Sequence, residues 1–465
     1  MCPWRRCVLP ALLSLTMLIA SVLLAQLVEP GRHAVLFVVK ALSSGIAGHV
    51  VAAVLGVAIG VVLGSVTYLL AADAERSAFQ RLVGSLTYAA VVVAFAALSI
   101  FVGRDRLQGL RSWAGSEVRT TSAAGLLVPQ GFVGEIYHAC NFAPTQIAVG
   151  PEGHLYATGF SAIPEAAVLG RGLVMRLARD AATGTIRETK VADLYRPMGL
   201  AWYGDDLFVS HAGTFVEANR GELKHVPTGA VTLLRDLDGD GVADYFHDVL
   251  PGLPGVWAPG DLHQNNGIAF DAEGYLYATV GVHGDRSPPL TDEEGTIVRC
   301  RSDGTERSVF ARGFRNPFDL AFGPGGALFS TDNDANDLGA GDELNHVVAG
   351  GHYGYPYADG LTEHPAGTIP PLLVTTEGSY EGLAWTDAEA LPAGYRNSLY
   401  VVHYGADELL QVSLEAAGDT YRASATVFAK VPGALDVTID PQGVFYVSSF
   451  HRRCIYRIRY VGEGP

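Results

Sequence analysis

The sequence predicts an all-β fold, a six-bladed β-propeller over residues 125–465, preceded by about three transmembrane α-helices. Three observations lead there: a hydropathy break near residue 103, a two-strand pattern that recurs six times beyond it, and turn residues at matching places in the copies. Before the break the chain is nearly continuous Ala, Val, Leu and Ile. After it, Gly, Asp and aromatic residues take over.

Within residues 1–103, three apolar runs (8–27, 46–71 and 82–102) approach or exceed the span of about 20 residues that crosses a bilayer. Arg5 and Arg6 precede the first run, and Arg76 and Arg81 lie between the second and third. These charges favour a cytoplasmic N-terminus and a C-terminal domain on the periplasmic or extracellular side; Arg32, Lys40, Arg104, Arg106 and Arg111 weigh against it. Alternatively the first run is a signal peptide ending near Ala25, and the two later spans anchor the chain. His33 and His49 lie near helix ends, where packed histidines are commoner than a haem pair. Residues 104–124 read as a polar linker.

The repeat is a small or polar residue, an aliphatic one and Ala, then turn residues, then Leu-aromatic-x-Ser/Thr. It occurs as QIAVGPEGHLYAT (146–158), GLAWYGDDLFVS (199–210), GIAFDAEGYLYAT (267–279), DLAFGPGGALFST (319–331) and DVTIDPQGVFYVS (436–448), with a stretched copy from 382–385 to 398–401. Each copy is two short strands around a tight turn, rich in residues that suit a half-buried pleat. The spacing of some fifty to seventy residues is that of a four-stranded blade, longer than a solenoid repeat.

A formal charge of −16 excludes nucleic acid as a partner, because phosphate calls for basic surface. None of the five cysteines stands in a C-x-x-C or C-x-x-C-H pattern, which excludes a zinc ribbon or attached haem. Cys140 and Cys454 flank the start and end of the propeller, either as two buried thiols or as a bridge across the ring closure.

The innermost strand of each blade lines the channel, so residues just before it converge on one mouth. Aligned on the Ala of the repeat, His263 and Arg315 each lie six residues upstream, in adjacent blades. Asn265, Asn266 and Asn316 lie beside them, and Glu381 and Asp436 come from blades five and six. An imidazole beside a guanidinium and amides takes a proton and stabilises developing negative charge. The plainer reading of His263 is a loop histidine bonded to a neighbouring blade's backbone. His211, His283 and His352 also fall near inner strands but lack metal-ligand spacing.

Between blades two and three, DLDGDGVAD (236–244) offers Asp236, Asp238, Asp240 and Asp244 at loop positions one, three, five and nine, with the Val242 carbonyl at seven. That spacing wraps one hard cation, a structural Ca²⁺, although His247 stands where a bidentate Glu is usual. A solvated acidic turn is the alternative.

HQNNGIAFDAEGYLYATVG (263–281), GFRNPFDLAFGP (313–324) and GDELNHVVAGGHYGYP (341–356) resemble the glucose/sorbosone dehydrogenases, and the resemblance covers the whole propeller. It implies a membrane-anchored enzyme using pyrroloquinoline quinone (PQQ) and Ca²⁺ to oxidise sugars (aldoses) or related alcohols. Electrons would pass to a separate acceptor, a cytochrome or quinone. By the same resemblance His263 is the base at the anomeric hydroxyl, and Arg315 and Asn316 hold the cofactor, with Asn265 and Asn266 beside them. Asp342, Glu343 and Tyr353 match a structural Ca²⁺ site, and carbonyls around Asp334 and Ala335 approach the catalytic ion. Three positions depart from the family. Val282 stands where an Asp orients the catalytic His, with Asp285 nearby; no Lys lies near Tyr404–Gly405; and GALDV (433–437) lacks the expected arginines, leaving Arg452 and Arg453. Two other functions remain open: a non-catalytic propeller binding carbohydrate or protein, and a Ca²⁺-dependent lactonase-type hydrolase built on carboxylates such as Glu381 and Asp436.

Overall fold

The computed structural model describes residues 118–121, 125–161, 171–180, 182–212, 215–218, 222–225, 229–254, 263–284, 288–333, 341–357, 365–375 and 378–462. The three apolar runs, His33, His49, Asp285, Asp334 and Ala335 lie outside these residues. Among the described residues no helix is long and apolar enough to cross a membrane.

The expected six blades are present, each an antiparallel sheet of at least four strands. Their inner strands are Ala143–Val149, Pro197–Tyr203, Asn265–Phe270, Pro317–Phe322, Ser379–Thr386 and Ala434–Ile439, in blades one to six. Each inner strand packs on the next, and the sixth packs on the first, so the sheets close into a ring. Closure takes a strand from the other end of the domain. Phe132–Ala139 pairs with Cys454–Tyr460 as the outermost strand of blade six, from Phe132 opposite Tyr460 to Ala139 opposite Cys454. Within the segment read as a linker, Val118–Thr121 forms a strand on Leu126–Pro129, which joins the outer edge of blade five.

Apolar alternation buries the faces between blades. At the contact of blades five and six, Phe132, Tyr400, Phe428 and Phe445 belong to one core cluster. Tyr400 meets Phe445 edge-on at 4.7 Å, a geometry that adds about 0.5–1.5 kcal/mol to the area each ring buries.

The pattern read from the sequence has a hydrogen-bonding cause. All six inner strands carry a register shift ahead of the repeat's aliphatic residue, which frees backbone groups from the ladder. Side chains then take those groups. Thr158, Thr331 and Ser448, the last residue of the repeat, accept from the backbone N–H of Gln146, Asp319 and Asp436. Each hydroxyl also donates to a carbonyl of the next blade: Met198 at 2.5 Å, Glu381 at 2.6 Å and Thr145 at 2.6 Å.

The residue opening each repeat, on the inner strand, is Gln146, Gly199, Gly267, Asp319, Gly382 and Asp436 in turn. The carboxyls reach sideways. Asp319 accepts from Leu383 N–H of blade five at 3.0 Å, and Asp436 from Ile147 N–H of blade one at 2.7 Å. A Cβ on Gly267 would overlap the Asp319 carboxylate, and one on Gly382 that of Asp436. Glycine there makes room for the neighbouring acid.

Candidate functional site

His263 and Arg315 each stand two residues ahead of an inner strand, at the same edge of adjacent blades. One residue ties them together. Nδ1 of His263 lies 3.1 Å from the Val282 carbonyl, and Val282 N–H donates to the Arg315 carbonyl at 2.8 Å. A carbonyl only accepts, so Nδ1 carries the proton and Nε2 is the basic nitrogen of the neutral ring. Val282 is fully buried. The position that lacks an Asp thus orients His263 with its main chain.

Arg315 is nearly buried, at 4 % exposure. The Asp332 carboxylate fixes its backbone, accepting from Arg315 N–H at 3.0 Å and Asn316 N–H at 2.8 Å. Arg315 Nη1 donates to the Asn333 carbonyl at 2.9 Å.

The amides expected to meet a cofactor are committed inside the protein. Asn265 Nδ2 donates to the His211 carbonyl of blade two at 2.6 Å. Asn266 Nδ2 donates to Asn316 Oδ1 at 2.9 Å, and Asn316 Nδ2 to Asn333 Oδ1 at 3.1 Å. Asn333 Nδ2 continues the chain to Asp342 Oδ2 at 3.1 Å and the Tyr380 carbonyl at 2.8 Å. This amide relay fastens blades three, four and five, and it was not read from the sequence. Its only sequence signal was the density of Asn beside the strand starts.

The metal residues divide in two. One carboxylate oxygen from each of Asp236, Asp238 and Asp244 lies within 4.8 Å of the others, as expected for one cation. All four carboxylates accept backbone N–H groups of the loop, and Asp240, which accepts from Val242 N–H at 2.8 Å, stands outside the converging group. At the second site, Asp342 Oδ2 also accepts from Tyr380 N–H at 3.2 Å, and Glu343 accepts from Asn345 at 3.1 Å. The Tyr353 hydroxyl donates to the His346 carbonyl at 2.7 Å and accepts from Val348 N–H at 2.9 Å. Its ring stacks on Phe314. Tyr353 is therefore a packing residue by its side chain, with only its carbonyl suited to a cation.

His211, His283 and His352 have separate partners. His211 joins Thr232 and Asp248 in a chain, His283 pairs with the buried Glu294 at 2.8 Å, and His352 Nδ1 accepts from Gly354 N–H. Cys140 and Cys454 are free, buried thiols. Lys430, the amine near the blade-five edge, is paired with Glu408.

Acid groups on the axis have displaced pKa values. Burial pushes Asp319 up to about 7 and Glu381 up to about 8, with Asp342 and Asp319 adding to the latter. Burial and then the charge of Asp319 hold Asp436 well above the ordinary carboxyl range.

A family model, glucose/sorbosone dehydrogenase, matches residues 246–453, which include His263, Val282 and Arg315. The match supports an oxidoreductase of the quinoprotein sugar dehydrogenase type. No curated protein matches the chain. Among solved structures, an oxidoreductase (glucose dehydrogenase) from Thermus thermophilus is 23 % identical, with 70 % of this chain and 100 % of that one covered, at a TM-score of 0.55. The PQQ-bound aldose sugar dehydrogenase of Streptomyces coelicolor is 18 % identical over 71 % and 99 %, with a TM-score of 0.52. The soluble aldose sugar dehydrogenase of Escherichia coli is 19 % identical over 71 % and 99 %, with a TM-score of 0.55. At these identities the likeness carries the propeller fold.

Proposed function

We propose that the chain is a membrane-anchored, PQQ- and Ca²⁺-dependent dehydrogenase of sugars (aldoses) or related alcohols. Its propeller faces the periplasmic or extracellular side and passes electrons to a separate cytochrome or quinone. The observation that carries this reading is the link His263–Val282–Arg315, which joins an oriented imidazole to the main chain of the arginine in the adjacent blade.

The residues fit an anionic cofactor and a hydroxylated substrate. Arg315 supplies the cation and a fork of N–H donors for cofactor oxygens. Gln264 Oε1, next to His263, is a buried acceptor with no hydrogen-bond partner among the described residues, and sugar hydroxyls are donors. PQQ, when bound, supplies a two-electron acceptor for hydride. The chain's own part is proton handling and orientation. His263 Nε2 takes the hydroxyl proton, and the Val282 carbonyl stabilises the resulting imidazolium through Nδ1–H. The Asp332 clamp fixes the backbone from which the Arg315 and Asn316 side chains extend. Calcium has a structural place at Asp236, Asp238 and Asp244, and a second at Asp342 and Glu343.

The purified protein, given PQQ, Ca²⁺ and an aldose, should reduce an artificial dye. Absence of PQQ binding in a fluorescence titration with calcium present would overturn the reading and favour a carbohydrate-binding propeller.

A further inference from the structure

Where the ring closes, three side chains from two blades aim at one place. His138 lies near the end of Phe132–Ala139 in blade six, and Cys140 follows that strand. Glu188 stands on Ile186–Tyr195, the outermost strand of blade one. One imidazole nitrogen, the Cys140 Sγ and a Glu188 oxygen all lie within 4.8 Å of one another. Cys140 is buried, while the His138 and Glu188 side chains are 17 % and 12 % exposed.

We propose that His138, Cys140 and Glu188 bind a zinc-class divalent transition metal across the seam that closes the propeller. The donor set is one imidazole, one thiolate and one carboxylate. Calcium and magnesium take oxygen ligands, whereas nitrogen and sulfur select zinc and its neighbours. Three protein ligands leave a fourth tetrahedral position for water, reached through the partly exposed rim. With a thiolate and a carboxylate, a divalent ion makes the cluster neutral, which suits a half-buried seam.

The distances agree with this assignment. His138 Nε2 and Glu188 Oε1 are 2.8 Å apart. Tetrahedral zinc with ordinary bond lengths sets such a nitrogen and oxygen about 3.4 Å apart, so the pair opens slightly as metal replaces the proton between them. The carboxylate is already aimed. Asn141 donates to it twice, from its backbone N–H to Oε1 and from Nδ2 to Oε2, both at 3.0 Å. Such outer partners orient metal ligands. Burial, then the charges of Glu188 and Cys454, hold the metal-free thiol far above its ordinary range, and a bound cation reverses that balance. The site joins the first strand of the propeller to blade one, so metal bound only by the folded ring stabilises its closure.

The test uses the full chain under reducing conditions with Co²⁺ alone as probe. Folded protein should show thiolate-to-cobalt absorption saturating at one equivalent. Zn²⁺ should displace the signal and raise the Tm. Cys140→Ser should abolish the absorption, and Glu188→Gln should weaken cobalt affinity at least tenfold. Calcium loops lack sulfur and do not produce this band. The proposal is overturned by folded wild-type protein without the band, or by a band that persists in Cys140→Ser, which assigns it to another thiol. If Cys140→Ser does not fold, unchanged cobalt affinity in Glu188→Gln overturns it on the same readout.

Discussion

His263 is held by the main chain of Val282, its Nδ1 3.1 Å from that residue's carbonyl. A carboxylate partner stabilises an imidazolium by charge; a carbonyl does so by its dipole alone, and orients the ring equally well. The first consequence is that the side chain at position 282 is dispensable for the base. Val282→Ala should keep kcat within a few-fold and cost about 2 kcal/mol, the worth of a buried valine. Val282→Asp should lower the Tm more, because it places a carboxylate in a fully buried position. His263→Ala should abolish dye reduction with the fold intact by circular dichroism. Activity surviving in His263→Ala would remove it as the base.

The glycines opposite the axial acids make a second prediction. Gly382→Ala should destabilise the ring by several kcal/mol or prevent folding, since its Cβ would meet the Asp436 carboxylate. Removing that carboxylate in Gly382→Ala/Asp436→Ala should not rescue it, because the Asp436 Cα itself lies 2.6 Å from the added carbon. Gly394→Ala, where an added Cβ meets nothing within 4 Å, is the control and should stay within about 0.5 kcal/mol. Chemical denaturation of the three variants checks this.

The acidic loop makes a third. Calcium at about 100 times its Kd stabilises a folded site by about 2.7 kcal/mol, a rise of a few degrees in Tm. Asp238→Ala and Asp244→Ala should leave the share of that rise due to the site at Asp342 and Glu343 and remove the loop's share. Asp240→Ala should leave most of it, because Asp240 lies outside the converging group. Calcium titration followed by scanning calorimetry separates these outcomes.

Much of this was legible because a propeller repeats. The two-strand pattern located all six inner strands, and counting back from its Ala brought His263 and Arg315 to one mouth. What stayed hidden is contact that leaves no side-chain signature. A main-chain acceptor such as the Val282 carbonyl looks the same for any residue. At the start of the repeat the sequence showed only that a small or polar residue recurs. Which neighbour's N–H each acid would reach depended on the register shift in the inner strand. Asn265 and Asn316 stand beside the strand starts, yet their amides bond within the protein, Asn265 to the His211 carbonyl and Asn316 to the Asn266 and Asn333 side chains. Glu188 was missed because the sequence separates it from Cys140, and only ring closure brings the two together.

The axial acids make the last prediction, on pH. Asp319, Glu381 and Asp436 all have pKa values raised in the folded state, to about 7, to about 8 and well above the ordinary range. An unfolded chain releases these protons near pH 4. Above that pH the folded state holds more protons than the unfolded one, so stability falls as pH rises. The contribution of these groups is complete below about pH 4 and is lost as pH climbs through about 7 to 8. His211, His346 and His352, whose pKa values burial lowers, contribute a slope of opposite sign near pH 6, so the comparison of variant with wild type isolates the acids. Asp436→Asn keeps an oxygen to accept Ile147 N–H while removing the charge that opposes Asp319. Its Tm should decline less steeply between pH 5 and pH 8 than that of the wild-type protein. Equal slopes in calorimetry would mean that the axial pair does not govern the alkaline side of stability.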